Sequence, residues 1–345
     1  MNFSTLFLQM IDQMDGERKR NAVYHLLRGK RSGQTIQDVS YYRLHPYFSI
    51  FPQLSLETYE QWIEPLFHKG WVVENEEGYV SIDRTRIPQL EKVSTHFNGW
   101  LYRGREMLFF ERLALIVQTL SYQAYHERTF QPVTNDERIQ QFVRSYYKRE
   151  QLHREERRTL FYEALKQSLR EQPLGDRFAH LLVARLTGFR SAGQTWNQLA
   201  EREQLSIGDV RLLFVEGLHG WIPYVEQSPI LAPLVEGVKE ELILTGSAHR
   251  TNEWWRRGYS IEQLAKKRKL KRSTIEDHLV EIALVDPQFP LEQFMSRDRM
   301  ERIRACIQKE RTYRLRPIKR CVEEASYFEI RLVLAQGSGS NWNDY

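Results

Sequence analysis

Apolar residues recur at helical spacing along nearly the whole chain, and this periodicity limits the fold more than any other feature. Ile139, Phe142, Val143, Tyr146 and Tyr147 stand at offsets 0, 3, 4, 7 and 8, which places all five on one helix face. One stretch breaks the pattern. In WVVENEEGYVSI, Trp71 to Ile82, two β-rich runs flank a polar turn ending in Gly78. The expected fold is mainly α, with one small β-hairpin.

A length of 345 residues favours two or three domains, and 41% hydrophobic residues suffice for packed cores. The net charge of +5 is compatible with an acidic partner but modest for this length. Only two cysteines occur, Cys306 and Cys321, both in helix-like surroundings and without CxxC spacing. This excludes a disulfide scaffold or a zinc site as the organising device and leads us to expect a reducing cytoplasm. The N-terminus lacks a basic n-region and meets Asp12 early, so we expect no signal peptide. No apolar run reaches about 18 residues, so no membrane span is expected.

The chain also resembles itself. LLRGKRSGQTIQDV (Leu26 to Val39) is similar to ARLTGFRSAGQTWNQLA (Ala184 to Ala200). Each is followed by an aromatic-glycine signal, LFHKGWVV (Leu66 to Val73) and GLHGWIPYV (Gly217 to Val225). Thr35, Thr195 and Ser260 each read as the cap of a helix with a polar residue three positions on. Gln198 and Gln263 complete a capping box, and Asp38 matches it less well.

Two copies have the layout of a helix-turn-helix. Ala200, Leu205 and Val210 are spaced like Ala265, Leu270 and Ile275. The small residue lets the second helix approach, the leucine plugs the turn, and the β-branched residue packs one turn further. Ser206 and Ser273 read as caps of the second helices. Ser273-Thr274-Ile275-Glu276 reads as a complete capping box, with Ile275, Leu279 and Ile282 inward. The turn position that often holds Gly has Gln204 in one copy and Lys269 in the other. After the first copy, Leu56 to Lys69 reads as a third helix, ended by Gly70 and followed by the hairpin as a wing. Glu74, Glu76 and Glu77 at its tip would repel phosphate, which favours a protein-facing or solvated wing.

Charge separates the two units. Glu201, Arg202 and Glu203 make one slightly acidic, whereas six of the seven residues from Lys266 to Arg272 are basic. The candidate nucleic-acid contacts are Arg256, Arg257, Lys266, Lys267, Arg268, Lys269, Lys271, Arg272, Thr274 and His278. Such cations position a phosphate backbone without reading sequence. Base reading is disfavoured because Glu276, Asp277 and Glu281 are expected on the exposed face of the second helix. Nucleic-acid contact, an acidic protein partner and a plain solvated face all fit the run. Arg314, Arg316, Lys319 and Arg320 form a second basic cluster.

We expect four segments. These are a winged-helix-like module over 1–105, a helical module with the acidic helix-turn-helix over 106–230, a C-terminal helix-turn-helix domain over 245–336, and a frayed tail over 337–345. Pro229, Pro233 and Gly246-Ser247 mark a linker-like stretch near 226–248. Ser296 reads as the cap of a helix burying Met300, Ile303 and Ile307, with Cys306 in its core. Ser326 and Glu329 form another capping box. No GxxxxGK[ST] loop or HExxH motif occurs, and the carboxylates of Asp136 to Glu171 are interleaved with Arg and Lys in pairs such as Glu150 and Arg154. Nothing points to an enzyme, a metal or a cofactor.

The C-terminal stretch resembles a known family. TNEWWRRGYSIEQLAKKRKLKRSTIEDHLVEIA together with RPIKRCVEEASYFEIRLVLAQ is similar to the helix-turn-helix domain at the C-terminus of many bacterial RecQ helicases. Ser260, Ile261, Ala265, Leu270, Ser273, Thr274, Ile275, His278 and Leu279 carry the match, followed by Pro317, Ile318, Lys319, Ser326, Tyr327, Glu329, Ile330 and Arg331. Phe328 stands where that domain often has a small residue. The whole chain, HLLRGKRSGQTIQDV included, resembles the YpbB family of standalone bacterial proteins, commonly encoded beside a short RecQ-type helicase. The resemblance implies a non-enzymatic accessory of a RecQ-type helicase in DNA repair or recombination, contacting DNA with little sequence preference. A helix-turn-helix transcription regulator and a pure protein adaptor are the alternatives.

Overall fold

A computed structural model describes residues 2–87, 89–90, 95–127, 129–239 and 244–338. Among them are seventeen α-helices and one two-stranded sheet, so the fold is mainly helical. The N-terminal segment contains α1 (Phe3–Met14), α2 (Asn21–Leu27), α3 (Gly33–Tyr41), α4 (Leu56–His68), β1 (Val72–Glu74) and β2 (Val80–Ile82). The middle contains α5 (Gly99–Tyr102), α6 (Glu106–Ala124), α7 (Glu137–Arg149), α8 (Glu155–Glu171), α9 (Gly175–Arg185), α10 (Trp196–Glu203) and α11 (Ile207–Glu226). The last segment contains α12 (Gly246–Trp255), α13 (Ile261–Arg268), α14 (Arg272–Val285), α15 (Arg297–Glu310), α16 (Leu315–Cys321) and α17 (Tyr327–Ser338).

These elements form two compact units. One comprises Met1–Leu6 and Glu91–Glu240, the other Phe7–Leu90 and Glu241–Tyr345. The middle unit is built on α11, which packs against α6, α8, α9, α10 and a 3-10 turn at Ala232–Val235. Trp221 is fully buried and donates its indole N–H to Ser168 Oγ at 3.1 Å. The aromatic-glycine signal GLHGWIPYV lies inside this helix and leads to no hairpin. A Cβ on Gly217 would stand 1.9 Å from the Phe178 ring, so the glycine sets how closely α9 approaches. The first part of the linker-like stretch belongs to the core, with Ile230, Leu231, Leu234, Val235 and Val238 buried there, and the boundary between the two units falls later in the same stretch. Apolar spacing between its prolines outweighs the turn signal. Glu150 pairs with Arg157 at 2.7 Å rather than with Arg154, which is the N-cap of α8.

In the other unit the hairpin follows α4 as expected, antiparallel with Val72 opposite Ile82. Gly70, at φ +64°, lets the chain leave the helix. The acidic tip is not wholly solvated. Glu77 pairs with Arg314 at 3.6 Å, and the Arg314 guanidinium lies 4.4 Å from the centre of the Tyr79 ring. Helix α3 is capped by Ser32, not Thr35, because Ser32 Oγ accepts from Thr35 N at 3.3 Å. Asp38 is buried and ion-paired with Arg18 at 2.8 Å.

The two helix-turn-helix copies are local twins. Thr195 and Ser260 each make a complete capping box with the glutamine three residues on. Gln204 and Lys269 both adopt the left-handed conformation at φ 52°, ψ 43°. Leu205 N donates to Ala200 O, and Leu270 N to Ala265 O, each at 3.0 Å. The tight turn therefore forms without glycine, at about 1–2 kcal/mol each for an L-residue. Ser206 caps α11, but the equivalent residue before α14 is Lys271, which makes no side-chain cap bond. Ser273 lies inside the helix, so the expected box there is not made.

Further on, Ser296 caps α15, and Met300, Ile303 and Cys306 are buried below it. Burial and the adjacent Cys321 thiol hold Cys306 up at about 12, which keeps it protonated. Ser326 and Glu329 exchange the reciprocal capping bonds at 2.6 and 3.2 Å. The Phe328 ring packs edge-on against Phe294 at 5.5 Å. Gly337 and Ser338 belong to α17, and residues 339–345 of the expected tail lie outside the described residues.

Candidate nucleic-acid interface

The fate of α14 decides what the C-terminal helix-turn-helix can touch. It packs against α17, α12, α3 and α13, so it is covered on several sides within its unit. Ile275, Leu279, Val280, Ile282 and Leu284 are at most 1% exposed. Freeing these five side chains would cost about 8–15 kcal/mol, at roughly 1.5–3 kcal/mol each. One bidentate base contact contributes about 1–3 kcal/mol. Packing wins, so most of α14 is core and only its first turn, at Arg272 and Ser273, is exposed.

Two residues expected on that face turn inward. His278 is buried and its Nδ1 lies 2.8 Å from Thr251 Oγ1, which takes it out of the candidate contact set. Burial and the nearby Arg268 charge lower its pKa to about 4, so it is neutral near pH 7. Glu281 is also buried; it accepts from the backbone and hydroxyl of Thr245 and anchors the start of α12. Asp277 is bonded to Arg331 of α17.

The basic run divides by what each side chain already does. Arg268 donates to Ser247 O, Ser247 Oγ and Thr251 Oγ1, a structural role. Arg272 is held between Glu262 and Glu276, the latter at 2.9 Å. Arg256 stands 3.8 Å from Asp286, and Thr274 is half-buried. Lys266, Lys269 and Lys271 are exposed and form no ion pair among the described residues. Lys267 and Arg257 lie over the Trp254 ring at 4.0 and 4.7 Å from its centre. Five cations thus remain available on the α13 side: three free lysines and two side chains resting on Trp254.

Beside them is a groove of about 790 Å³ walled by Trp255, Tyr259, Phe294 and Phe328, with Arg256 and Arg272 at its edge. In the second basic cluster, Arg314 is engaged by the hairpin and Lys319 donates to Ala325 O at 2.8 Å, leaving Arg316 and Arg320 exposed. Among the described residues no group of three or more His, Cys, Asp or Glu could hold a metal ion. No described helix is long and apolar enough to cross a membrane.

Comparison with known proteins agrees with this architecture. Residues 247–334 match the family described as a helix-turn-helix domain. The chain is 29% identical to Protein YpbB of Bacillus subtilis (strain 168), over 97% of each chain. No solved structure matches it.

Proposed function

We propose that this chain is a non-enzymatic accessory of a RecQ-type DNA helicase, docking the helicase and lending it a basic helix-turn-helix that touches the DNA backbone. One observation carries the reading: beyond its first turn α14 is mostly buried, while Lys266, Lys267, Lys269 and Lys271 are exposed on the first helix and turn, with Arg257 exposed between α12 and α13. That arrangement suits phosphate contacts without sequence preference. It argues against a regulator that recognises an operator, because such recognition needs an accessible helix or strand in a groove. The full-length similarity to YpbB and the C-terminal helix-turn-helix domain support the same reading.

Mixing the purified chain with a RecQ-type helicase from the same cell tests the docking half. Co-elution at micromolar concentration and low salt is expected; two separate peaks would refute it. Binding to random and genomic duplexes across a salt series tests the other half. A steep salt slope with no preferred sequence is expected, and a preference above about a thousandfold would favour the regulator.

A further inference from the structure

The middle unit carries a second surface, unrelated to the basic run. Three helices present apolar stripes to a shared groove of about 730 Å³. Val117, Leu120 and Ala124 come from α6, at i, i+3 and i+7. Tyr162, Leu165 and Leu169 come from α8, Val183 from α9, and Leu186 from the C-cap position that ends α9. Tyr162 and Val183 are each 58% exposed, among the most exposed large apolar side chains of the protein. Apolar stripes of three neighbouring helices facing one groove give a surface of the kind that receives the apolar face of another helix.

Charge around the groove selects the occupant. Its charged lining residues are Arg158, Lys166 and Arg170 against Asp176 alone. Arg158 and Arg170 form no ion pair among the described residues, and Lys166 stands 4.0 Å from Glu163. Aliphatic walls suit side chains rather than phosphates, and cations along the rim suit carboxylates. Helix α8 has 17 residues, about 25 Å of length, so three turns of a helix fit along it.

We propose that this groove, between α6, α8 and α9, docks an amphipathic helix of a partner protein that carries apolar residues on one face and carboxylates on its flanks. The assignment rests on the accessory reading only for the nature of that partner.

The test uses the full chain and a fluorescein-labelled helical peptide with leucines at i, i+3, i+4 and i+7 and glutamates on both flanks. Anisotropy is expected to show saturable binding. Val183→Glu and Tyr162→Glu, both at exposed positions, should each weaken it by about tenfold with unchanged melting temperature. The double change Lys166→Gln/Arg170→Gln, which leaves Arg158 balanced by Asp176, should weaken it and abolish its salt dependence. No binding by the unaltered chain, equal binding by all variants, or equal binding of a peptide with lysine flanks would overturn the proposal. So would a concentration-dependent dimer that Val183→Glu dissolves, since a second copy would then fill the groove. A helicase that co-elutes equally well with Val183→Glu sinks the groove and leaves the accessory reading intact. Peptide binding without helicase binding does the reverse.

Discussion

Replacing Lys266, Lys267, Lys269 and Lys271 together with serine isolates the electrostatic contribution of the helix-turn-helix. If the five available cations each meet a phosphate of duplex DNA, log K falls with log salt at a slope of about −4.5. Affinity would then drop roughly 500-fold between 50 and 200 mM salt. With only Arg257 left the slope is about −0.9, and the same change in salt costs about 3.5-fold. The fold should hardly notice. Lys266 and Lys269 are exposed and without ion pairs among the described residues, whereas Lys267 loses its contacts over Trp254 and Tyr259, at about 0.5–1 kcal/mol. Lys271 is an N-cap without a side-chain bond, so serine there should add about 1 kcal/mol. The two effects nearly cancel, and the melting temperature should move by less than about 4 °C. Fluorescence anisotropy across a salt series and a thermal melt check both halves. An unchanged slope in a folded variant would refute the reasoning and make the run a solvated face.

Three further outcomes follow from the same geometry. His278 is buried neutral at about 4, well below its unfolded value, so its contribution is fully present above about pH 6.5 and is lost as pH falls toward 4. The shift corresponds to about 3 kcal/mol, and His278→Gln should flatten the fall in melting temperature between pH 7 and 4.5; an unchanged fall would exclude the histidine. His45, lowered to about 4 by burial, should supply the part that remains. Lys269→Gly relieves the left-handed turn and should raise stability by up to about 1 kcal/mol in a urea melt, a gain limited by glycine's unfolded-state entropy. Gly217→Ala drives a methyl into Phe178 and should destabilise the middle unit by about 1–3 kcal/mol or more, read as an earlier unfolding transition.

Much of the architecture was legible because its signals are local. The boxes at Thr195 and Ser260, the spacing of Ala265, Leu270 and Ile275, and the hairpin after Gly70 depend on residues within about ten positions of each other. Backbone periodicity and short capping bonds act over that range in almost any surroundings. The errors were local as well. Reading Ser273 as a cap overlooked that Lys271 is the residue equivalent to Ser206, and Thr35 yielded to Ser32 three residues earlier. Of the stretch 226–248 read as a linker, the first part, with buried Ile230, Leu234 and Val238, builds a core, while the boundary between the units falls later in it.

Accessibility was a different matter. From sequence, Lys266 to Arg272 is one basic run with Glu276, Asp277 and Glu281 beside it as exposed acids. Only tertiary packing separates Arg268, spent on Ser247 and Thr251, from Lys266, which is free. It also lays α3, more than two hundred residues earlier in the chain, against α14, and turns His278 and Glu281 inward. Helix formation is decided by neighbours along the chain, so the sequence by itself determined the two helix-turn-helix units. Whether a side chain can reach a ligand is decided by what packs over it, and those partners lie far away in sequence.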